Sequence, residues 1–309
     1  MPPRLLVVGS ANMDLIVRCC QAPRPGETIH GDEFSMAHGG KGANQAVACS
    51  RLDAQTTFVG RVGNDDFGRA LRAALENEGV NVGSLRADLG AATGVAVIIL
   101  EPSGQNRIIV IGGANLRLDD EDVAAARKAL KRTDALLMQL ETPLPVVAAV
   151  AQAARELSVL TVLDAGAATL EAASSGLIGL ADVVSPNEAE AEALTGIAVR
   201  DLGSAKRAAT RLRELGGRDV VMKLGALGAY WLGKGGEGEF PAFPITPVDT
   251  TAAGDAFTAS LAVSLAGGLP IPEAVRRANA AGALACLTLG AQPSMPTAAE
   301  IDAFLAQRA

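Results

Sequence analysis

Two aspartates six residues apart bracket a run of small residues in Asp249-Thr-Thr-Ala-Ala-Gly-Asp255. The run follows Ile245–Val248, read as an extended stretch, and precedes a helical pattern over Ala256–Leu265. Ala252, Ala253 and Gly254 carry little bulk, so their backbone N–H groups can gather at a helix N-terminus, where the dipole favours negative charge. Such a turn suits a phosphoryl group in transit. Asp255 beside it is placed to take a proton from an attacking hydroxyl. An Asp at a helix start is also an ordinary N-cap, so the run alone leaves base and cap open.

Four further constellations carry polar chemistry. His38-Gly-Gly-Lys-Gly-Ala-Asn-Gln45 is a glycine-rich entry to a helix over about 43–51, in which Lys41 and Asn44 can donate to hydroxyls. It is not a P-loop, because Gly42 and not Ser or Thr follows Lys41. Gly9-Ser-Ala-Asn-Met-Asp14 leaves the first strand where open α/β sheets place ligands. Asn12 and Asp14 suit a vicinal diol there, and they equally suit an Asx turn. In Ser185-Pro-Asn-Glu-Ala-Glu190, Asn187 and Glu190 stand three residues apart, a spacing that fits water-mediated Mg²⁺ or a capping box. Lys223-Leu-Gly-Ala-Leu-Gly228 is a strand followed by a glycine turn that can take an adenine or a phosphate.

The elements that must position these residues follow from the apolar pattern. Short continuous apolar runs (5–8, 135–140, 159–163, 182–185, 220–224) alternate with amphipathic stretches such as 66–78 and 120–131. Continuous runs imply strands buried on both faces, hence an α/β fold with a doubly wound, mostly parallel sheet. Residues 93–100 and 107–111 break the alternation and form a hairpin around Glu101–Asn106. With 14–19 and 27–38 they make a small separate sheet, expected to act as a lid. The expected division is a core of 1–15, 39–94 and 112–309 with a lid of 16–38 and 95–111.

The chain has 309 residues, enough to bury a core without staples, and 49% of them are hydrophobic. The four cysteines, Cys19, Cys20, Cys49 and Cys286, have no zinc-ligand spacing and are expected as small core fillers in a reducing compartment. A formal charge of −7 opposes broad attraction to nucleic acid. No apolar run approaches a membrane span or a signal peptide, so a cytoplasmic protein without nucleic-acid or membrane partners is expected.

Taken in order, Gly-Ser-x-Asn-x-Asp, Gly-Gly-Lys-Gly-Ala-Asn-Gln-Ala, Asn-x-x-Glu, Lys-Leu-Gly-x-x-Gly and Asp-Thr-Thr-x-Ala-Gly-Asp closely resemble the ribokinase branch of the PfkB carbohydrate kinase family over essentially the whole chain. Gly112–Asn115, Met138–Glu141 and Gly290–Ser294 add to the likeness. The resemblance implies transfer of the ATP γ-phosphoryl group to the 5-hydroxyl of D-ribose, and a homodimer joined through the lids. It implies a sugar site of Asn12, Met13, Asp14, Gly40, Lys41, Gly42, Asn44 and Glu141. Asp255 is then the base and the backbone of Ala252, Ala253 and Gly254 the anion hole. Asn187 and Glu190 organise Mg²⁺ through water, and Asn187, Lys223, Leu224, Gly225, Ala226, Gly228, Gly254 and Asn279 surround the nucleotide. An activating K⁺ lies among Asp249, Thr251, Ala285, Thr288, Gly290 and Ser294.

Two departures stand out. Asp164-Ala-Gly-Ala167 replaces the usual Asn-Pro-Ala-Pro, adding a carboxylate expected near the cleft mouth, and His38 replaces an apolar or aromatic residue. Competing expectations are a sibling kinase for 2-deoxyribose, another sugar or a nucleoside, and a sugar-binding regulator without catalysis. A dinucleotide oxidoreductase is disfavoured, since no G-x-G-x-x-G follows the first strand.

Overall fold

A computed structural model describes residues 1–102 and 106–308. In chain order, β1 (Arg4–Val8), β2 (Asn12–Arg18) and β3 (Glu33–Gly39) precede helix α1 (Lys41–Arg51). Then come β4 (Gln55–Gly63), α2 (Asp66–Asn77), β5 (Asn81–Asp88), β6 (Gly94–Leu100), β7 (Asn106–Ile111), α3 (Asp120–Leu130), β8 (Ala135–Met138) and α4 (Leu144–Glu156). The second half runs β9 (Leu160–Asp164), α5 (Leu170–Ser174), β10 (Val183–Ser185), α6 (Glu188–Thr195), α7 (Leu202–Glu214), β11 (Asp219–Lys223), β12 (Ala229–Gly233) and β13 (Gly236–Phe240). Helices α8 (Ala253–Ala266), α9 (Ile271–Ala285) and α10 (Ala298–Ala306) close it.

Nine strands form one sheet in the order β13-β12-β11-β10-β9-β8-β1-β4-β5, parallel from β5 to β11 and antiparallel at β12 and β13. Its central strands, such as β1, β8 and β10, are largely apolar and buried because both faces are covered, whereas the edge strands β5 and β13 carry exposed polar residues. Along β1, Leu5 and Val7 pack with α1, α2, α8, α9 and α10, while Leu6 and Val8 pack with α3, α4, α6 and α7. Each such side chain removed from water contributes on the order of 1.5–3 kcal/mol. A second sheet, β3-β2-β6-β7, stands apart. Its β6–β7 pair is the expected hairpin, although Ser103, Gly104 and Gln105 of the expected turn lie outside the described residues.

Several expected boundaries shift. Helix α1 starts at Lys41, two residues early, because Gly40 at φ +86 turns the chain directly into it. Residues 245–248 are not a strand: the segment after β13 is irregular, and Val248 is held only by its N–H to the Cys286 carbonyl. Asn12 and Asp14 start β2 and are not in a free turn. Cys19 and Cys49 are buried as expected, but Cys20 is exposed and Cys286 half-buried. Among the described residues no helix is long and apolar enough to cross a membrane.

Candidate active site

The carboxyl ends of β1, β8, β9 and β11 meet the N-termini of α1, α6 and α8 at one edge of the large sheet, the position where open parallel sheets leave a crevice. Helix α8 delivers Asp255 from its third position. Neither expected capping role is filled by an aspartate here. The residue at the cap position is Ala252, in the left-handed conformation at φ 58, and no side chain caps the helix. A non-glycine residue held there costs roughly 1–2 kcal/mol, and the first-turn N–H groups are left without a side-chain partner.

Asp255 is 4% exposed and spends its carboxylate on the opposite helix. Asn44 Nδ2 donates to Oδ2 at 3.0 Å, and Gln45 Nε2 donates to Oδ1 at 3.0 Å. Both amides come from α1, which packs along α8. Asn44 Oδ1 is buried with no hydrogen-bond partner, an acceptor facing an unmet demand.

The glycines of the α1 entry allow a close backbone contact. A methyl group on Gly40 would lie 2.7 Å from the Asn12 nitrogen, and one on Gly42 would lie 2.7 Å from Ser10 N. They let α1 press against the chain between β1 and β2. That contact sets Lys41 over the crevice, with Nζ 3.8 Å from Asp255, 3.8 Å from Glu190 and 3.9 Å from Asp164. Burial opposes the Lys41 charge, but Asp164, Asp255, Glu190 and Glu141 together raise its pKa well above the ordinary lysine value.

Around it lie Asp14 and Glu141. Burial first, then Glu141 and Asp255, push Asp14 up to about 7. Burial likewise raises Glu141, against the opposing pull of the Ser10 hydroxyl and Lys41. The Asn12 Oδ1 accepts from Asn115 Nδ2 at 2.7 Å, so the Asn12 amide is fixed in one orientation. Met13 is buried in the core, pointing away from its neighbours Asn12 and Asp14 as strand alternation requires.

Asn187 and Glu190 form a full capping box on α6: Asn187 Oδ1 accepts from Glu190 N, and Glu190 Oε2 accepts from Asn187 N, each at 2.8 Å. Glu190 Oε1 still faces Lys41. Lys223 turns its ammonium to Asp164 at 2.9 Å, with Glu190 Oε2 at 3.9 Å, and the turn from Leu224 to Gly228 follows it. Asn279 Nδ2 donates to the Phe240 carbonyl at 3.0 Å. The Asp249 loop closes on itself: Oδ1 accepts from Thr251 N and Oγ1, and Oδ2 accepts from Gly290 N at 2.9 Å. Burial works against the Asp249 charge, yet the bonds from Gly290 and Thr251 hold its pKa below the usual carboxylate value. Thr288 N bonds the Ala285 carbonyl, and Ser294 Oγ bonds Ala291.

Asp164 is the largest surprise. It lies at the floor of the crevice, fully buried, and not at its mouth. Gln45, Gln139, Ser10 and Thr258 also belong to the polar network and are absent from the sequence-derived set. Thr258 was signalled by its position one helical turn after Asp255, on the same face.

The profile described as pfkB family carbohydrate kinase matches residues 2–298. The chain belongs to this family. Among carbohydrate kinases of this kind, the ribokinase of Haemophilus influenzae is 38% identical over 305 residues, covering 99% of both chains. A structure of Arabidopsis thaliana ribokinase complexed with ribose and ATP superposes with a TM-score of 0.88 at 35% identity, again covering 99% of each chain. The deoxyribokinase of Salmonella typhi is 32% identical over 301 residues, covering 97% of this chain and 98% of its own. The family assignment excludes neither pentose by itself.

Proposed function

We propose that the chain transfers the γ-phosphoryl group of ATP to the 5-hydroxyl of D-ribose. The observation that carries this reading is the state of Asp255: a buried carboxylate at a helix start that caps nothing, held on both oxygens by α1 amides beside Asp14, Asn12 and Lys41. In this reading Asp255 takes the hydroxyl proton as the sugar oxygen attacks the γ-phosphorus in line, and ADP leaves with the bond electrons. The uncapped N–H groups of the first turn of α8, around Ala252, Ala253 and Gly254, receive the phosphoryl oxygens. Asp14, Asn12, Asn44, Glu141 and Gly40 to Gly42 hold the sugar. The backbone of Leu224 to Gly228, with Asn279, borders the nucleotide.

Five carboxylates, Asp14, Glu141, Asp164, Glu190 and Asp255, face two ammonium groups here, an excess of negative charge suited to a cation. Among the described residues no group of three or more His, Cys, Asp or Glu can hold a metal ion alone. Glu190 and Asn187 fit a magnesium ion carried by the ATP phosphates and reached through water. That ion supplies charge neutralisation on the phosphates. The ionised Asp249 loop, with Thr251, Ala285, Thr288, Gly290 and Ser294, fits a potassium ion whose charge reinforces the adjacent helix start.

The small sheet is read as a lid and as the seam of a homodimer. Phe34, Met36, Ile109 and Ile111 lie on one face by strand register and are each at least half exposed. A face this apolar favours a partner of the same kind. The setting is cytoplasmic. The Asn12 amide, oriented by Asn115, favours ribose over 2-deoxyribose by offering its N–H end to a hydroxyl.

ADP release measured across ribose, 2-deoxyribose, hexoses and nucleosides, with and without K⁺, tests the assignment. Ribose-dependent turnover that drops about 10²–10⁴-fold in Asp255→Asn, with the fold intact, is expected. Absence of sugar-dependent ADP release would replace the kinase with a sugar-binding regulator.

A further inference from the structure

Asp164 ends β9, and none of its surface reaches solvent. Its Oδ2 accepts from Lys223 Nζ at 2.9 Å, Thr258 Oγ1 at 2.8 Å and Gln45 Nε2 at 3.2 Å, and its Oδ1 accepts from Gly166 N at 2.9 Å. These donors come from β11, α8, α1 and the chain just after β9. A carboxylate persists in such a place only when paired and fully hydrogen-bonded. Burial pushes it up, but Lys223 and Lys41 hold it down at about 2, so it is charged.

Three routes lead from it to Asp255. The Gln45 amide nitrogen has two hydrogens, one given to Asp164 and the other to Asp255 Oδ1. Its rotation is locked from behind by Gln139 Nε2, which donates to Gln45 Oε1 at 2.6 Å. Lys41 Nζ lies between the two carboxylates. Thr258, itself on α8, shares its one hydroxyl proton between Asp164 Oδ2 at 2.8 Å and the Gly254 carbonyl at 2.9 Å, and so ties the first turn of α8 to β9.

We propose that Asp164 is a positioning residue for phosphoryl transfer. Its buried charge orients Gln45, the first turn of α8 and Lys41 so that Asp255 presents its carboxylate to the acceptor hydroxyl. This rests on Asp255 being the base. Lys223, on this view, is the counter-ion that lets the charge exist in the core.

Asp164→Asn alone would mix two effects, because it strands Lys223 as a buried cation. The double variant Asp164→Asn/Lys223→Met removes both charges. Thermal melting within a few degrees of the parent, KM for ribose within about twofold and kcat lowered about 10–100-fold are expected, since small misplacements of a reacting group carry losses of this size. A folded double variant with kcat within twofold of the parent overturns the proposal. If the double variant does not fold, Gln45→Met/Thr258→Val decides, because it cuts both hydrogen-bonded routes while leaving the Asp164–Lys223 pair. The same loss in kcat at constant KM supports the role, and parental kcat overturns it. Asp255→Asn, assayed alongside, keeps the two ideas apart. Turnover by that variant defeats the base assignment itself, whereas an inactive Asp255→Asn beside a fully active double variant defeats only the role of Asp164.

Discussion

Asp14 gives the site a proton switch near neutrality. An aspartate has an ordinary value of 3.8, and the enclosure of Asp14 with Glu141 and Asp255 raises it to about 7. The sign follows from the causes. Burial and two neighbouring anions all disfavour the carboxylate, so the free protein holds this group protonated below about pH 7 and ionised above it. On the proposed sugar site, a sugar that donates hydroxyls to Asp14 selects the ionised form and must therefore expel the proton. At a value of about 7, roughly one-tenth of the molecules are ready at pH 6 and roughly nine-tenths at pH 8. The expected outcome is that kcat/KM for the sugar, at saturating MgATP, rises about tenfold between these pH values, since kcat/KM for the sugar reports the enzyme before the sugar binds. Calorimetry of sugar binding at pH 7 in buffers of different ionisation enthalpy should register about half a proton released. A kcat/KM that is flat from pH 6 to 8 together with no proton release refutes the reasoning. The same group acts on stability with the opposite tendency. Its folded value lies above its unfolded value, so the folded state holds the extra proton between about pH 4 and 7, and its contribution to stability is lost as pH rises through that window.

Other perturbations probe other parts of the molecule. Gly40→Ala forces a methyl group to 2.7 Å from backbone at a positive φ; a destabilisation of about 2–4 kcal/mol and a melting point lower by roughly 4–10 °C are expected, measured by calorimetry. Met36→Glu/Ile109→Glu places charges on the apolar face of the small sheet; sedimentation should show a dimer for the parent and a monomer for the variant, and a variant that remains dimeric removes this face as the seam.

The fold was legible because both-face burial writes long apolar runs into β1, β8 and β9, and because hairpin β6–β7 interrupts their rhythm. Boundaries were less so. Ile245–Val248 has strand composition, yet the chain there only crosses from β13 to α8 and pairs with no strand. In the site, Asp255, Asn44, Lys41 and Asp14 stood in compact motifs whose residue types announce polar work. Asp164 and Lys223 each drew attention, but their pairing was not legible, because the two strand ends lie 59 residues apart. Gln45 was overshadowed by Asn44, although successive residues at a helix start can both reach the facing helix when that helix crosses closely.

The contacts of Asp255 have a consequence for how the molecule is made. Its two amide partners lie 210 and 211 residues earlier in the chain. On the proposed assignment of Asp255 as base, a ribosome-bound nascent chain can complete β1 to β11 and still lack that base, and the Asn44 amide, with the one Gln45 hydrogen not given to Asp164, waits until α8 docks. Catalysis is thus a late reporter of maturation: during refolding, recovery of turnover should trail recovery of the far-ultraviolet helical signal, and the interval between them times the closure of α8 onto α1.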